Sequence, residues 1–260
     1  MTTSAEPSKS LLRLAGKAIA DYKMIRPSDR ILVGLSGGKD SLSLLHLLLR
    51  LQRRAPVRFE VGAVTVDPQS EVYDPSRLIP YMAELGAPYF YERKAILRIA
   101  TEHMHNDSYC AFCSRMKRGV MYGAARREGY NVLALGQHLD DLAESFLLSA
   151  FYGGRLKTMK AHYRIDAGDL RVIRPLVYVR ERQTAAFAHA ADLPIIPENC
   201  PACFDSPKQR MQMKSLLAAQ EQANPRLFKC VLSALRSLMA VGLENTQDAA
   251  PEARLAIVGQ

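Results

Sequence analysis

The stretch that most limits how this chain can fold is a short apolar run, Ile31-Leu32-Val33-Gly34-Leu35. It leads directly into Ser36-Gly37-Gly38-Lys39-Asp40-Ser41 and then into a leucine-rich segment ending near Leu51. A brief, continuous apolar run bounded by turn residues reads as a buried strand, and the leucine-rich segment reads as a helix. Strand, glycine turn and helix in that order form the first half of a βαβ unit. Two glycines let backbone amides close on an anion, and the helix start adds the positive end of its dipole. Lys39 supplies a mobile charge, and Ser36 and Ser41 supply hydroxyls. A Walker A loop does not match, because Asp40 follows Lys39, and the G-x-G-x-x-G dinucleotide fingerprint is absent. A plain turn would account for the glycines but not for Lys-Asp-Ser beside them.

The same alternation continues. Strands are expected at 57–66, 88–91, 132–135 and 170–173, with helices at 75–85, 93–103, 114–128, 140–151 and 180–190. A basic amphipathic helix is expected at 11–23, with Leu11, Leu12, Ala15 and Ile19 on its apolar stripe. This is the pattern of an α/β fold: a mostly parallel sheet with helices on both faces, binding ligands beyond the carboxyl ends of its strands. Beyond residue 204 the pattern turns helical, near 207–222 and 226–239. The expected organisation is a tail and basic helix over 1–29, one α/β domain with cysteine-bearing insertions over 30–204, C-terminal helices over 205–241 and a loose tail over 242–260.

Lysine plus arginine outnumber aspartate plus glutamate by 35 to 26, a net charge of +9. That favours polyanionic partners, although a merely basic soluble protein has the same balance. No apolar run is long enough for a membrane span and the N-terminus lacks a secretory apolar region, so a cytoplasmic protein is expected. Four of the five cysteines form two C-x-x-C pairs, Cys110–Cys113 and Cys200–Cys203. Such pairs read as metal or sulfur chemistry in a reducing compartment, with zinc and an iron–sulfur cluster both open. A thioredoxin-like dithiol would explain one pair only. Cys230, among Leu227, Phe228, Val231 and Leu232, reads as a packed apolar residue.

Gly136-Gln137-His138-Leu139-Asp140-Asp141 follows a strand and opens a helix. Its two aspartates suit either a helix N-terminus or a reactive site. Asp67 follows another strand, where a turn or a ligand contact fits equally. Two basic groups flank these motifs: Arg115, Lys117, Arg118, Arg126 and Arg127, then Arg155, Lys157 and Lys160. Both could meet a phosphate backbone.

The string S-G-G-K-D-S resembles the pyrophosphate (PP) loop of the N-type ATP pyrophosphatases. Further motifs narrow the resemblance: Cys110-x-x-Cys-Ser-Arg-x-x-Arg-Gly-x-x-Tyr122, G-x-H-x-D-D at 136–141, Phe151-Tyr152-Gly153-Gly154, Val172-Ile173-Arg174-Pro175-Leu176, and Ile195-Ile196-Pro197 ahead of the second cysteine pair. Together they resemble the tRNA 2-thiocytidine (TtcA) family over roughly residues 15–235. The resemblance implies a Rossmann-like PP-loop fold of the adenine nucleotide alpha hydrolase type. It implies an ATP-dependent tRNA cytidine 2-sulfurtransferase acting at anticodon-loop position 32 and releasing AMP and pyrophosphate. Ser36, Gly37, Gly38, Lys39, Asp40 and Ser41 would hold ATP and Mg²⁺, with Asp67, His138 and Asp140 near the nucleotide. Lys39, Asp40 and Asp141 would act in catalysis. A [4Fe–4S] cluster would use Cys110, Cys113 and one of Cys200 and Cys203. Implied partners are tRNA, a sulfur donor such as a cysteine desulfurase or free sulfide, and a second copy in a homodimer. Gln137 departs from the pattern, standing where thiolating members often carry a second histidine. Three alternatives stay open: a uridine 2-thiolase with the same machinery, an adenylating ligase with structural zinc, and a nucleotide-binding oxygen or metal sensor. The uridine branch typically carries extra zinc-finger pairs at both ends, which are not found here.

Overall fold

A computed structural model describes residues 6–70, 73–103, 109–197 and 208–240. The expected tail at 242–260 and the pair Cys200–Cys203 lie outside the described residues. Six strands form one sheet: β1 (Arg30–Gly34), β2 (Glu60–Asp67), β3 (Tyr89–Arg93), β4 (Val132–Ala134), β5 (His162–Arg164) and β6 (Arg171–Ile173), in the order β3-β2-β1-β4-β6-β5. All neighbours pair in parallel except β5, which runs antiparallel to β6. The helices are α1 (Lys9–Asp21), α2 (Lys39–Gln52), α3 (Leu78–Leu85), α4 (Ile96–His103), α5 (Tyr109–Arg127), α6 (Leu139–Gly153), α7 (Glu181–Ala190), α8 (Lys208–Ala223) and α9 (Leu227–Ala240). Among the described residues no helix is long and apolar enough to cross a membrane.

Alternate strand residues serve opposite faces, as the pleat requires. Ile31, Val33, Val61, Ala63, Val132, Ala134 and Ile173 pack against α1, α2, α3, α7 and α9 in the larger core. Leu32, Val64, Leu133 and Val172 face the other way, onto Ala124 and Ala125 of α5. Both faces are therefore apolar, which explains why these strands read as continuous runs and not as alternating ones.

Two elements depart from the sequence pattern. His162-Tyr163-Arg164 carries no apolar signal, yet it forms the edge strand β5. Its register comes from a tight hairpin, closed by the Ile165 amide donating to the Leu170 carbonyl at 3.0 Å. The helix expected from residue 114 begins at Tyr109, so Cys110 and Cys113 sit three residues apart within its first turn. No glycine or proline interrupts Tyr109–Cys113, and the helix propagates through it.

Candidate functional site

The segments that follow β1, β2, β4 and β6 open into one cavity of about 520 Å³. That is within the range of small-molecule sites. One wall is the loop between β1 and α2. Gly37 has φ +80°, and a Cβ there would meet Ile196 at 2.7 Å, so only glycine fits. Gly38 caps α2 with no side-chain acceptor, which leaves the first-turn amides of α2 available to an anion. The loop carbonyls are already engaged: Tyr73 Oη donates to Ser36 O at 2.6 Å, the Ile196 amide to Gly37 O at 3.0 Å, and Ser41 Oγ to Gly38 O at 2.9 Å. The turn thus presents donors and withdraws acceptors. Gly136 lies against it so closely that a Cβ would stand 3.1 Å from the Ser41 nitrogen.

Behind this loop is a dense charge network. Lys39 Nζ lies 3.0 Å from Asp40 Oδ2 and 3.0 Å from Glu181 Oε1. Thr184 Oγ1 donates to Asp40 Oδ1, and His138 Nε2 is 3.6 Å from Asp40 Oδ2. His138 also caps α6. Its backbone amide donates to Asp141 Oδ2 at 3.0 Å, and its Nδ1 accepts from the Asp141 amide at 3.3 Å. With Nδ1 accepting, the neutral ring carries its proton on Nε2, toward Asp40. Burial works against ionising Asp40, but hydrogen bonds from His138 and Thr184 and the charges of His138 and Lys39 outweigh it, holding this carboxyl at about 2. Burial likewise opposes the His138 imidazolium, yet the Asp40 hydrogen bond and the charges of Asp141, Asp40 and Asp140 raise its pKa.

The opposite wall is α5, with Ser114, Lys117, Arg118 and Met121 facing the cavity. Lys117 Nζ stands 5.5 Å from the Tyr73 ring centre, and Arg118 Nε donates to the Ser114 carbonyl at 3.3 Å. Among the described residues neither has a carboxylate within ion-pair distance. Between the walls lies Arg174, just past β6. Its Nε donates to Gln137 Oε1 at 2.8 Å and its Nη1 to Lys160 O at 2.7 Å. Burial pulls its pKa down.

A model of the PP-loop domain matches residues 9–199. A tRNA-cytidine(32) 2-sulfurtransferase from Geobacter sulfurreducens is 42% identical over 228 residues, spanning 87% of this chain and 89% of that one. This chain belongs to the PP-loop tRNA-cytidine(32) 2-sulfurtransferase family. A second member, from Syntrophotalea carbinolica, is 42% identical over 250 residues, spanning 94% and 96% of the two chains. Among solved structures, the U34-tRNA thiolase NcsA from Methanococcus maripaludis, determined with its [4Fe-4S] cluster, superposes with a TM-score of 0.71 at 20% identity. It covers 89% of this chain and 78% of its own, a likeness of fold.

In this PP-loop protein, the structure gathers Ser36, Asp40, Ser41 and Asp141 at the cavity, with Gly37, Gly38, Lys39 and His138 directly behind. Asp140 turns away. It pairs with Arg180 at 3.0 Å and accepts the Glu181 amide at 2.8 Å, tying α6 to the start of α7. Asp67 is not brought to the cavity, whose lining takes Val64 and Val66 from β2 instead. It accepts from the Gln69 amide at 2.8 Å and from Tyr91 Oη at 2.9 Å, holding its own turn. Arg126 and Arg127 are neutralised by Asp169 and by Glu92 with Glu128.

Cys113 is half-buried on α5, immediately before Ser114 of the cavity. Among the described residues no three ligating side chains converge on a metal position. The chemistry of the cysteine set still suits a cluster. Cys110 and Cys113 stand one helical turn apart on α5, Cys113 directly before Ser114 of the cavity, and the described chain on either side of Cys200 and Cys203 is tied to the PP-loop and to α6. Ile196 packs on Gly37, and Arg210 Nη2 reaches Asp141 Oδ1 at 2.6 Å. Arg210 also pairs with Glu144 at 2.7 Å, and Lys214 with Glu181 at 2.7 Å. Arg180, Glu181, Thr184 and Arg210 carry no local motif, so only the folded chain reveals them. Arg174 was signalled by the Val-Ile-Arg-Pro-Leu string.

Proposed function

We propose that this chain is an ATP-dependent tRNA-cytidine 2-sulfurtransferase acting on cytidine 32 of the anticodon loop. The observation that carries this reading is the meeting, at one cavity, of the PP-loop, the helix of the first cysteine pair and both flanks of the second. A nucleotide loop alone would suit many adenylating enzymes. A cysteine-bearing helix beside it suits sulfur transfer.

A carbonyl oxygen is a poor leaving group, so the cytosine O2 must first be activated. O2 attacks the α-phosphorus of ATP, the bond to pyrophosphate breaks, and an O2-adenylated base forms. Sulfide then adds at C2 and the C2–O2 bond breaks, releasing AMP. No net redox change occurs. The α2 amides and the Ser36 hydroxyl, with the charge of Lys39 behind the loop, hold the departing pyrophosphate and offset its growing charge, while Ser41 Oγ fastens the turn by donating to Gly38 O. Asp40 stays ionised, as a hard oxygen ligand for Mg²⁺ must, and such ions commonly take one or two carboxylates plus substrate phosphates. His138 holds Asp40 and Asp141 in place. Lys117 and Arg118 supply positive charge that no carboxylate of the described chain offsets, suited to phosphates of ATP or tRNA. A [4Fe–4S] cluster on Cys110, Cys113 and one of Cys200 and Cys203 would keep one iron free for sulfide, whereas a closed Cys₄ zinc site would not. The reading includes a cytoplasmic location, a homodimer, and a desulfurase or free sulfide as donor.

The test uses anaerobic, cluster-reconstituted protein with ATP, Mg²⁺, sulfide and unmodified tRNA, followed by nucleoside mass spectrometry. 2-Thiocytidine that disappears in Lys39→Ala is expected. 2-Thiouridine in its place would move the protein to the uridine branch, and no thionucleoside despite ATP cleavage would overturn the sulfurtransferase reading.

A further inference from the structure

Gln137 lines the cavity between the loop that grips pyrophosphate and α5. Its orientation is fixed by chemistry. Arg174 is a donor only, so the atom receiving its Nε–H at 2.8 Å must be the amide oxygen of Gln137. Arg174 cannot swing away, because its Nη1 is held by the Lys160 carbonyl and its guanidinium lies 5.6 Å over the Tyr163 ring. The amide nitrogen of Gln137 is therefore locked as a donor. Among the described residues it donates to nothing, and it is not sealed in the interior. An oriented donor without a partner, at the wall of a substrate cavity, is a recognition element waiting for an acceptor.

The two pyrimidines differ at the edge beside the reacting carbonyl. Next to C2–O2, cytosine carries N3 with a free lone pair, an acceptor; uracil carries N3–H, a donor. The chemistry differs in the same way. O2-adenylation of cytosine releases no proton from N3, whereas uracil must lose N3–H to form the neutral adenylated base. A fixed N–H donor accepts the first base and opposes the second.

Resting on the cytidine reading above, we propose that Gln137, oriented by Arg174, donates to N3 of the target base and selects cytosine over uracil. Gln137 is the specificity residue and Arg174 its positioning residue. A site built to hydrogen-bond one partner discriminates strongly against a base that leaves its polar groups opposed or unpaired.

The experiment compares two tRNAs identical except for cytidine or uridine at position 32, using wild type, Gln137→Glu and Gln137→Leu, each reconstituted anaerobically. Rates of 2-thiocytidine and 2-thiouridine formation are taken within one preparation, so their ratio is independent of how much protein is folded. AMP release is followed in parallel. Gln137→Glu gives Arg174 an acceptor and the cavity a second acceptor. The C:U ratio should fall by about tenfold or more, with the loss on the cytidine side. Gln137→Leu removes the donor and should lower the ratio less. Arg174→Lys, which frees the amide to turn, should lower it while leaving Gln137 in place. A ratio unchanged in both Gln137 variants, with both rates falling together, overturns the proposal and leaves Gln137 a structural contact. Wild type that forms no 2-thiocytidine on either tRNA overturns the underlying reading and the inference with it.

Discussion

The wall of the cavity built by α2, α6 and α7 and the wall built by α5 differ in how their charges are matched. On the first wall nearly every charge has a named partner. Lys39 lies between Asp40 and Glu181, Arg180 joins Asp140 to Glu221, and Arg210 joins Asp141 to Glu144. On the second, Lys117 and Arg118 have an aromatic ring and a backbone carbonyl for company and, among the described residues, no carboxylate. The first arrangement fixes geometry before any ligand arrives, which electrostatic catalysis requires. The second holds positive charge that no described carboxylate compensates, which a polyanion can neutralise on arrival. On the proposed function, activation and substrate capture fall to different walls.

Breaking the matched wall should have the larger effect. Asp40→Ala removes the acceptor shared by Lys39, Thr184 and His138. AMP formation in the presence of tRNA should fall by about 10²–10³-fold, the usual scale for losing one preorganised electrostatic group. Breaking the unmatched wall should act on binding. Lys117→Ala with Arg118→Ala should weaken tRNA binding most at low salt and make the slope of log affinity against log salt shallower by about one to two units. An unchanged slope would show that these cations face something other than phosphate.

Stability gives two finer probes of the matched wall. The Asp40 carboxyl is held at about 2 against an ordinary 3.8, so its contribution is present above pH 4 and lost as pH falls toward 2. In Mg²⁺-free protein, denaturation should show about 2 kcal/mol of wild-type stability linked to this group vanishing over that window, and absent in Asp40→Asn. Gly37→Ala, which forces a Cβ at φ +80° against Ile196, should cost about 1 kcal/mol or more.

The two walls also differ in how far the sequence discloses them. Strand, loop and helix at 31–51 were readable because a buried parallel strand, a glycine turn and a leucine-rich helix each leave a local pattern. The three-residue strand β5 was not, since its pairing rests on a hairpin and a neighbour and not on apolar residues. The aspartates opening α6 looked alike in sequence. Folding separates them: Asp141 completes the cap with His138, while Asp140 anchors α7 through Arg180 and the Glu181 amide. Arg180, Glu181, Thr184 and Arg210 reach the network across long stretches of chain, so no local spacing announces them. At Asp67 a turn and a ligand contact fitted the sequence equally, and in the fold it stands outside the cavity lining and holds its own turn through Gln69 and Tyr91.

The central claim is that one cavity couples two separable steps, activation on the PP-loop side and sulfur delivery on the cysteine side. The most direct measurement follows AMP release and thionucleoside formation together in Cys113→Ser and Asp40→Ala, each reconstituted anaerobically with tRNA, ATP, Mg²⁺ and sulfide. The account predicts that Cys113→Ser still releases AMP in a tRNA-dependent way yet forms no thionucleoside, whereas Asp40→Ala loses both. Thionucleoside formation persisting in Cys113→Ser would contradict it.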